Sequence, residues 1–194
     1  AAARVVGTLV RTAPQGGQFA CAAWPQLGRE MINRHTQLIG HLGLPTESFK
    51  SPMIYNPYFE REGIDALVVP MGCRSADYPA FLKLFFRLSN ALGTLITMPH
   101  KVATLAIVDE VRPTAAIAGA CNAVRREADG RLGGEMFDGE GFVRGLLRKG
   151  REGAGRRGLV VGAGGGGSAI AASVRRARSA QAALFRSPRG AAEE

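Results

Sequence analysis

Cysteine is scarce in this 194-residue chain, with three residues, Cys21, Cys73 and Cys121. They are odd in number and show neither a C-x-x-C pair nor Cys/His metal spacing, which speaks against a disulfide framework or a structural zinc site. Free thiols in a reducing compartment, and hence a cytoplasmic protein, are expected. His35 and His41 have no partner for a metal site, so no metal is expected either. No apolar run approaches the roughly 20 residues needed to cross a bilayer, so no membrane partner is expected. Internal repeats are absent as well. Acidic residues are outnumbered 16 to 25 by Lys and Arg, giving a net charge of +9. That surplus sits at the ends: residues 31–143 hold 11 basic and 12 acidic residues. The basic runs Arg148-Lys149-Gly150-Arg151 and Arg175-Arg176-Ala177-Arg178 contain no interleaved aromatics, so they read as solvated surface and not as a nucleic-acid site.

What is present is core material, 46% hydrophobic residues against 21% charged, enough for one domain or two small ones. Residues 1–30 have no acidic residue before Glu30 and no sustained period of 2 or 3.6. They read as an N-terminal extension, disordered or an artefact of where the chain starts. Val5 to Val10 is too short for a signal-peptide core. From Met31 the pattern is α/β. Gln37 to Gly40 predicts a strand, Pro52 to Arg61 a helix stopped by Gly63, and Ala66 to Pro70 a second strand. Asp77 predicts the N-cap of a helix with Phe81, Leu84, Phe85 and Leu88 on its apolar face and Gly93 just past its end. Thr94 to Thr97 predicts a third strand, followed by a helix from Lys101 to about Val111. Asn122–Arg125 and Arg131–Phe137 predict a hairpin closed by Asp129-Gly130, and Glu140 to Lys149 a helix. A glycine- and arginine-rich link at Gly150 to Gly158 marks a domain boundary near 150. Beyond it come a strand at Leu159–Val161, a helix from Ser168 to about Arg178, and a strand at Ala182–Phe185.

Three blocks carry the chemistry: Thr97-Met98-Pro99-His100-Lys101, Gly119-Ala120-Cys121-Asn122-Ala123 and Phe137-Asp138-Gly139-Glu140-Gly141-Phe142. The first follows a predicted strand, and ligands of open α/β sheets bind at the carboxyl ends of strands. The hairpin brings Asn122 and Asp138 to the same end. A lysine, ordinarily a cation with a pKa of about 10.4, can stabilise a developing alkoxide or, if its proton is relayed, act as a base. Strand Leu159–Val161 then runs into Gly162-Ala163-Gly164-Gly165-Gly166-Gly167-Ser168, the arrangement that lets a pyrophosphate approach the backbone at a helix N-terminus.

In order and spacing these blocks resemble the shikimate dehydrogenase family. The resemblance covers about residues 36–190. It implies an α/β substrate-binding domain at 31–150 followed by the opening part of a Rossmann dinucleotide-binding domain at 151–194. It implies an NADP-dependent oxidoreductase that interconverts shikimate and 3-dehydroshikimate in aromatic amino acid biosynthesis. Lys101 and Asp138 would be catalytic, and Ser51, Thr97 and Asn122 would bind a small polyol acid. Gly162, Gly164, Gly165, Gly166 and Gly167 would hold the cofactor, with Arg186 and Arg189 at the 2′-phosphate of NADP; NAD stays open as the cofactor, and a homodimer as the assembly. Two departures stand out. The family's S-x-S-P block, whose hydroxyls grip the substrate carboxylate, reads Phe49-Lys50-Ser51-Pro52, and Leu95 stands where an asparagine is usual. Quinate dehydrogenase, which the site residues do not exclude, is one alternative; a non-catalytic substrate-binding remnant is the other, because the chain stops after one βαβ-like step and reads as C-terminally incomplete.

Overall fold

Runs of apolar, β-favouring residues build the parallel half of a six-stranded sheet in the computed structural model, which describes residues 32–151, 154–177 and 181–185. The N-terminal extension at 1–30 and the two arginines, Arg186 and Arg189, lie outside the described residues. Strands β1 (Gln37–Gly43), β2 (Ala66–Gly72) and β3 (Ala91–Ile96) are parallel, with β1 in the middle. A hairpin, β5 (Ala123–Arg126) and β6 (Leu132–Glu135), adds antiparallel to β3, and the short β4 (Glu110–Val111) joins β6 at the edge. The order is β2-β1-β3-β5-β6-β4. Helix α1 (Ser51–Glu62) links β1 to β2 and stops at Gly63 in the left-handed region, as a glycine permits. Helix α2 (Tyr78–Phe85) links β2 to β3. Leu42, Ile96 and Val124 of the sheet pack with Tyr78, Leu82 and Phe85 of α2 in the main core.

Four expectations are corrected. The helix expected to run past Leu88 ends at Phe85, and Gly93 lies inside β3, paired with Ile39 and Arg125. Of the expected face Phe81, Leu84, Phe85 and Leu88, Phe85 is buried and Phe81 packs against the core, whereas Leu84 and Leu88 are exposed and Tyr78 and Leu82 complete the buried face. The Tyr78 ring stacks on His100 and its hydroxyl bonds Thr104, and these contacts set the helix's rotation. Asp77 occupies the N-cap position of α2 but makes no side-chain cap bond. The helix expected from Lys101 to Val111 is a single 3-10 turn at Ala103–Ala106. Asp109 N donates to Leu132 O, Leu132 N to Asp109 Oδ2 and Arg112 N to Gly134 O, so pairing with β6 takes over where helix was expected. Helix α3 (Pro113–Ala118), which ends at Gly119, is a further element not expected from the sequence.

The C-terminal part is one βαβ step. Strands β7 (Arg157–Val161) and β8 (Gln181–Phe185) pair in parallel in a separate two-stranded sheet, joined through α5 (Gly165–Arg176). This helix starts at Gly165 and not at Ser168, so three of the loop glycines form its first turn. Helix α4 (Asp138–Arg148) leads away from β6. It lies against α5 so closely that a methyl on Gly139 would collide with Ala169 O and Ser173 Oγ. Ala169 joins Ala115, Ala118, Ala120, Cys121 and Met136 in a second core. Among the described residues no helix is long and apolar enough to cross a membrane.

Candidate active site

Strand direction gathers the candidate residues at one sheet edge. Strands β1 and β3 present their carboxyl ends there, and β5, being antiparallel, presents its start. Strand β6 runs antiparallel to β5 and delivers the chain to Asp138 at that same edge. Backbone bonds hold the segments in register: Thr97 N donates to Leu42 O at 2.9 Å, Ile96 N to Asn122 O at 2.7 Å and Asn122 N to Glu135 O at 2.9 Å.

Lys101, Asn122 and Asp138 meet at this edge. Lys101 Nζ donates to Asp138 Oδ2 at 2.6 Å, and Asn122 Nδ2 donates to Asp138 Oδ1 at 2.6 Å. Asn122 Oδ1 accepts from Phe137 N at 3.0 Å, which fixes the amide so that its NH₂ faces the carboxylate. Among the described residues each Asp138 oxygen accepts one side-chain hydrogen bond. The Lys101 and Asp138 side chains are 21% and 30% exposed, enclosed enough to be oriented yet open to a ligand. Such a pair can take a proton from a bound hydroxyl while the ammonium stabilises the oxygen left behind.

The glycine loop lies directly against this group. Gly162 has φ +106°, a conformation that favours glycine, and a side chain on Gly167 would collide with Gly162 O. Those two shape the turn. A methyl on Gly165 would stand 2.6 Å from Ala120 Cβ and 3.6 Å from Lys101 Cβ, and one on Gly166 would stand 3.6 Å from Asp138 Oδ2. Gly164 faces open space. Bare backbone at the N-terminus of α5 thus approaches the carboxylate, with amides and dipole directed to bind anions. Gly165 and Gly167 are bare for close packing, whereas Gly164, beside the helix N-terminus, leaves open space at the backbone where a dinucleotide pyrophosphate would fit.

Ser51 and Thr97 lie outside this hydrogen-bond net. Ser51 is the first residue of α1. Thr97 follows β3, and its methyl and the Phe49 ring both crowd Gly43. Phe49 is buried and stacks on His41, with centroids 4.1 Å apart and planes at 26°. Burial holds the His41 pKa below its ordinary value, and the Lys101 charge adds to the shift. Neither the stack nor the electrostatic link to Lys101 had a signal in the sequence, where His41 has no spaced partner.

A mostly parallel sheet with an antiparallel hairpin, followed by a Rossmann-like βαβ step that opens on a glycine loop, defines an α/β protein. Residues 42–124 match the family described as the shikimate dehydrogenase substrate binding domain. The chain is 38% identical over 146 residues to the shikimate dehydrogenase (NADP(+)) of Geobacter metallireducens, covering 75% of this chain and 50% of that protein. Among solved structures, shikimate 5-dehydrogenase from Listeria monocytogenes in complex with shikimate and NAD superposes with a TM-score of 0.75 at 27% identity, covering 84% of this chain and 56% of that one. The Thermus thermophilus enzyme in complex with NADP(H) and shikimate gives 0.72 at 29% identity, covering 79% and 57%. The chain belongs to the shikimate dehydrogenase family and spans about half the length of the curated relatives it matches.

Proposed function

We propose that residues 31–150 are the substrate-binding domain, and residues 151–194 the opening of the cofactor domain, of an NADP-dependent shikimate dehydrogenase interconverting shikimate and 3-dehydroshikimate. The observation that carries this reading is the Lys101–Asp138–Asn122 net set against the glycine loop. Bound NADP supplies the hydride acceptor. In the oxidising direction the substrate hydroxyl proton passes to the Lys101–Asp138 pair, and the positive charge on Nζ stabilises the alkoxide that then becomes the ketone. In the reducing direction the pair returns that proton to the carbonyl oxygen. Asn122, itself held by Phe137 N, keeps the Asp138 carboxylate turned toward Lys101. Thr97, Ser51 and Asn122 bind the polyol acid, and Gly162 and Gly164–Gly167 receive the pyrophosphate. Arg186 and Arg189 favour NADP over NAD because a guanidinium suits a phosphate.

Phe49 favours a second reading. It stands where the family's S-x-S-P block has a hydroxyl residue, and its ring lies with the Thr97 methyl against Gly43, so the acid is held by Ser51 without that partner and a related polyol acid such as quinate competes with shikimate. Calorimetric titration of shikimate and quinate against this chain separates the two, and no heat with either refutes both. In a chain extended to the length of its relatives, Lys101→Ala and Asp138→Asn are each expected to lower kcat by about 10²-fold or more. The double variant loses less than the product, because residues acting as a unit are non-additive. Near-normal turnover in either single variant removes that residue from the mechanism.

A further inference from the structure

We infer that His100 and Tyr78 are positioning residues that set the reach of the Lys101 amine toward Asp138. The inference rests on Lys101 being the group that handles the substrate proton. His100 is 1% exposed, and its ring lies over Tyr78 with centroids 4.0 Å apart and planes 3° from parallel. His100 Nε2 lies 2.8 Å from Cys73 O. A carbonyl only accepts, so Nε2 carries the proton.

The other side of the lysine is held as well. Thr104 Oγ1 donates to His100 O at 2.8 Å, and Thr104 N donates to the same oxygen at 3.0 Å. The single hydroxyl proton of Thr104 is thereby used, so the 2.7 Å contact between Tyr78 and Thr104 has Tyr78 O–H as donor. The proton order Tyr78 to Thr104 to His100 O is fixed. Burial pushes the Tyr78 pKa up and the His100 pKa down, so both groups stay neutral and the set persists. It ties Cys73, the residue after β2, and the start of α2 (Tyr78) to the residues flanking Lys101. Lys101 O, in turn, accepts from Cys121 N at 2.8 Å, the residue before Asn122. The lysine backbone is thus pinned between the core and the strand that carries Asn122, and only its side chain is left to move.

A zero-length carbodiimide reads this reach directly. It activates the Asp138 carboxylate, and attack by Lys101 Nζ releases the urea and leaves an amide that mass spectrometry locates and quantifies. His100→Phe keeps a ring over Tyr78 and leaves Cys73 O without its donor; its Lys101–Asp138 cross-link yield is expected to fall about tenfold, the scale of one buried acceptor left unpaired. His100→Gln restores an N–H donor and should recover most of the yield. Tyr78→Phe keeps the stack, removes one hydrogen bond and should lower the yield by about threefold. Val68→Ala weakens the core away from the clamp and should leave the yield unchanged. Wild-type yield in both His100→Phe and Tyr78→Phe, or an equal loss in Val68→Ala, overturns the inference. If His100→Phe does not fold, Tyr78→Phe decides alone. The cross-link is read without substrate, so failure of shikimate to bind refutes the function and leaves this test standing.

Discussion

The sheet that carries Lys101 and the βαβ step that carries the glycine loop use the same strand-helix grammar and bury very different amounts of it. In the six-stranded sheet Leu42 is fully buried and Ile96 is 2% exposed, whereas Leu159 and Val161 of β7 are 68% and 70% exposed and Phe185 of β8 is 55% exposed. The first region has a core of its own, built by α2. The second attaches mainly through α5, whose Ala169 enters the core shared with α3. The cohesion of the site therefore belongs to the sheet, and the glycine loop reaches it through one helix.

Hydrogen exchange should give the widest separation. Amides of β1 and β3 are expected to exchange on the order of 10³-fold more slowly than those of β7 and β8, because exchange follows local opening free energy; equal rates would erase the distinction. Next in size is truncation of side chains. Leu82→Ala, in the fully buried core, should cost about 2–5 kcal/mol, and Leu159→Ala about 0.5 kcal/mol or less, with urea unfolding as the measurement. Gly139→Ala attacks the joint between the regions. Its methyl would collide with Ala169 O and Ser173 Oγ, a loss of about 1–3 kcal/mol by overpacking, with protection falling in α4 and α5 before it falls in β1.

The smallest effect is the response to acid. Burial lowers the folded-state pKa of His41 and His100 below the 6.5 of an unperturbed histidine. Near neutral pH both rings are unprotonated in either state and their contribution to stability is complete; as pH falls through about 6.5 the unfolded chain binds protons first and that contribution drains away. The urea midpoint should be lower at about pH 5.5 than at about pH 7.5, and His100→Gln should shrink the difference. An unchanged difference would mean that His100 titrates alike in both states.

Local signals carried much of this architecture. The Asp129-Gly130 dipeptide reports the hairpin, and Gly130 adopts φ +86° while Glu127 N closes on Arg131 O. Because β5 starts where β3 ends, the meeting of Asn122, Asp138 and Lys101 was legible once strand order was granted. The same local rules failed where distant partners decide. Leu105, Ile107 and Val108 have helical spacing, but Asp109 and Arg112 bond the backbone of β6. The rotation of α2 depends on His100 and Thr104, residues more than 20 positions away, and no spacing rule reports such a contact. Gly165 to Gly167 read as loop because glycine is a poor helix former, yet they open α5, where their lack of side chains permits the approach to Ala120 and Asp138.

The hairpin between Asn122 and Asp138 restricts how the chain can change in length. Side chains alternate faces along a strand, so inserting or deleting one residue within Ala123–Arg126 or Leu132–Glu135 turns over every position between the change and the turn. It also breaks the pairing of Ala123 with Glu135, on which the spacing of the amide and the carboxylate depends. Residues 128–130 escape this parity, since they lie beyond the bond from Glu127 N to Arg131 O that closes the hairpin. Length variation compatible with the site is therefore confined to a three-residue tip, at the far end of the hairpin from Asp138.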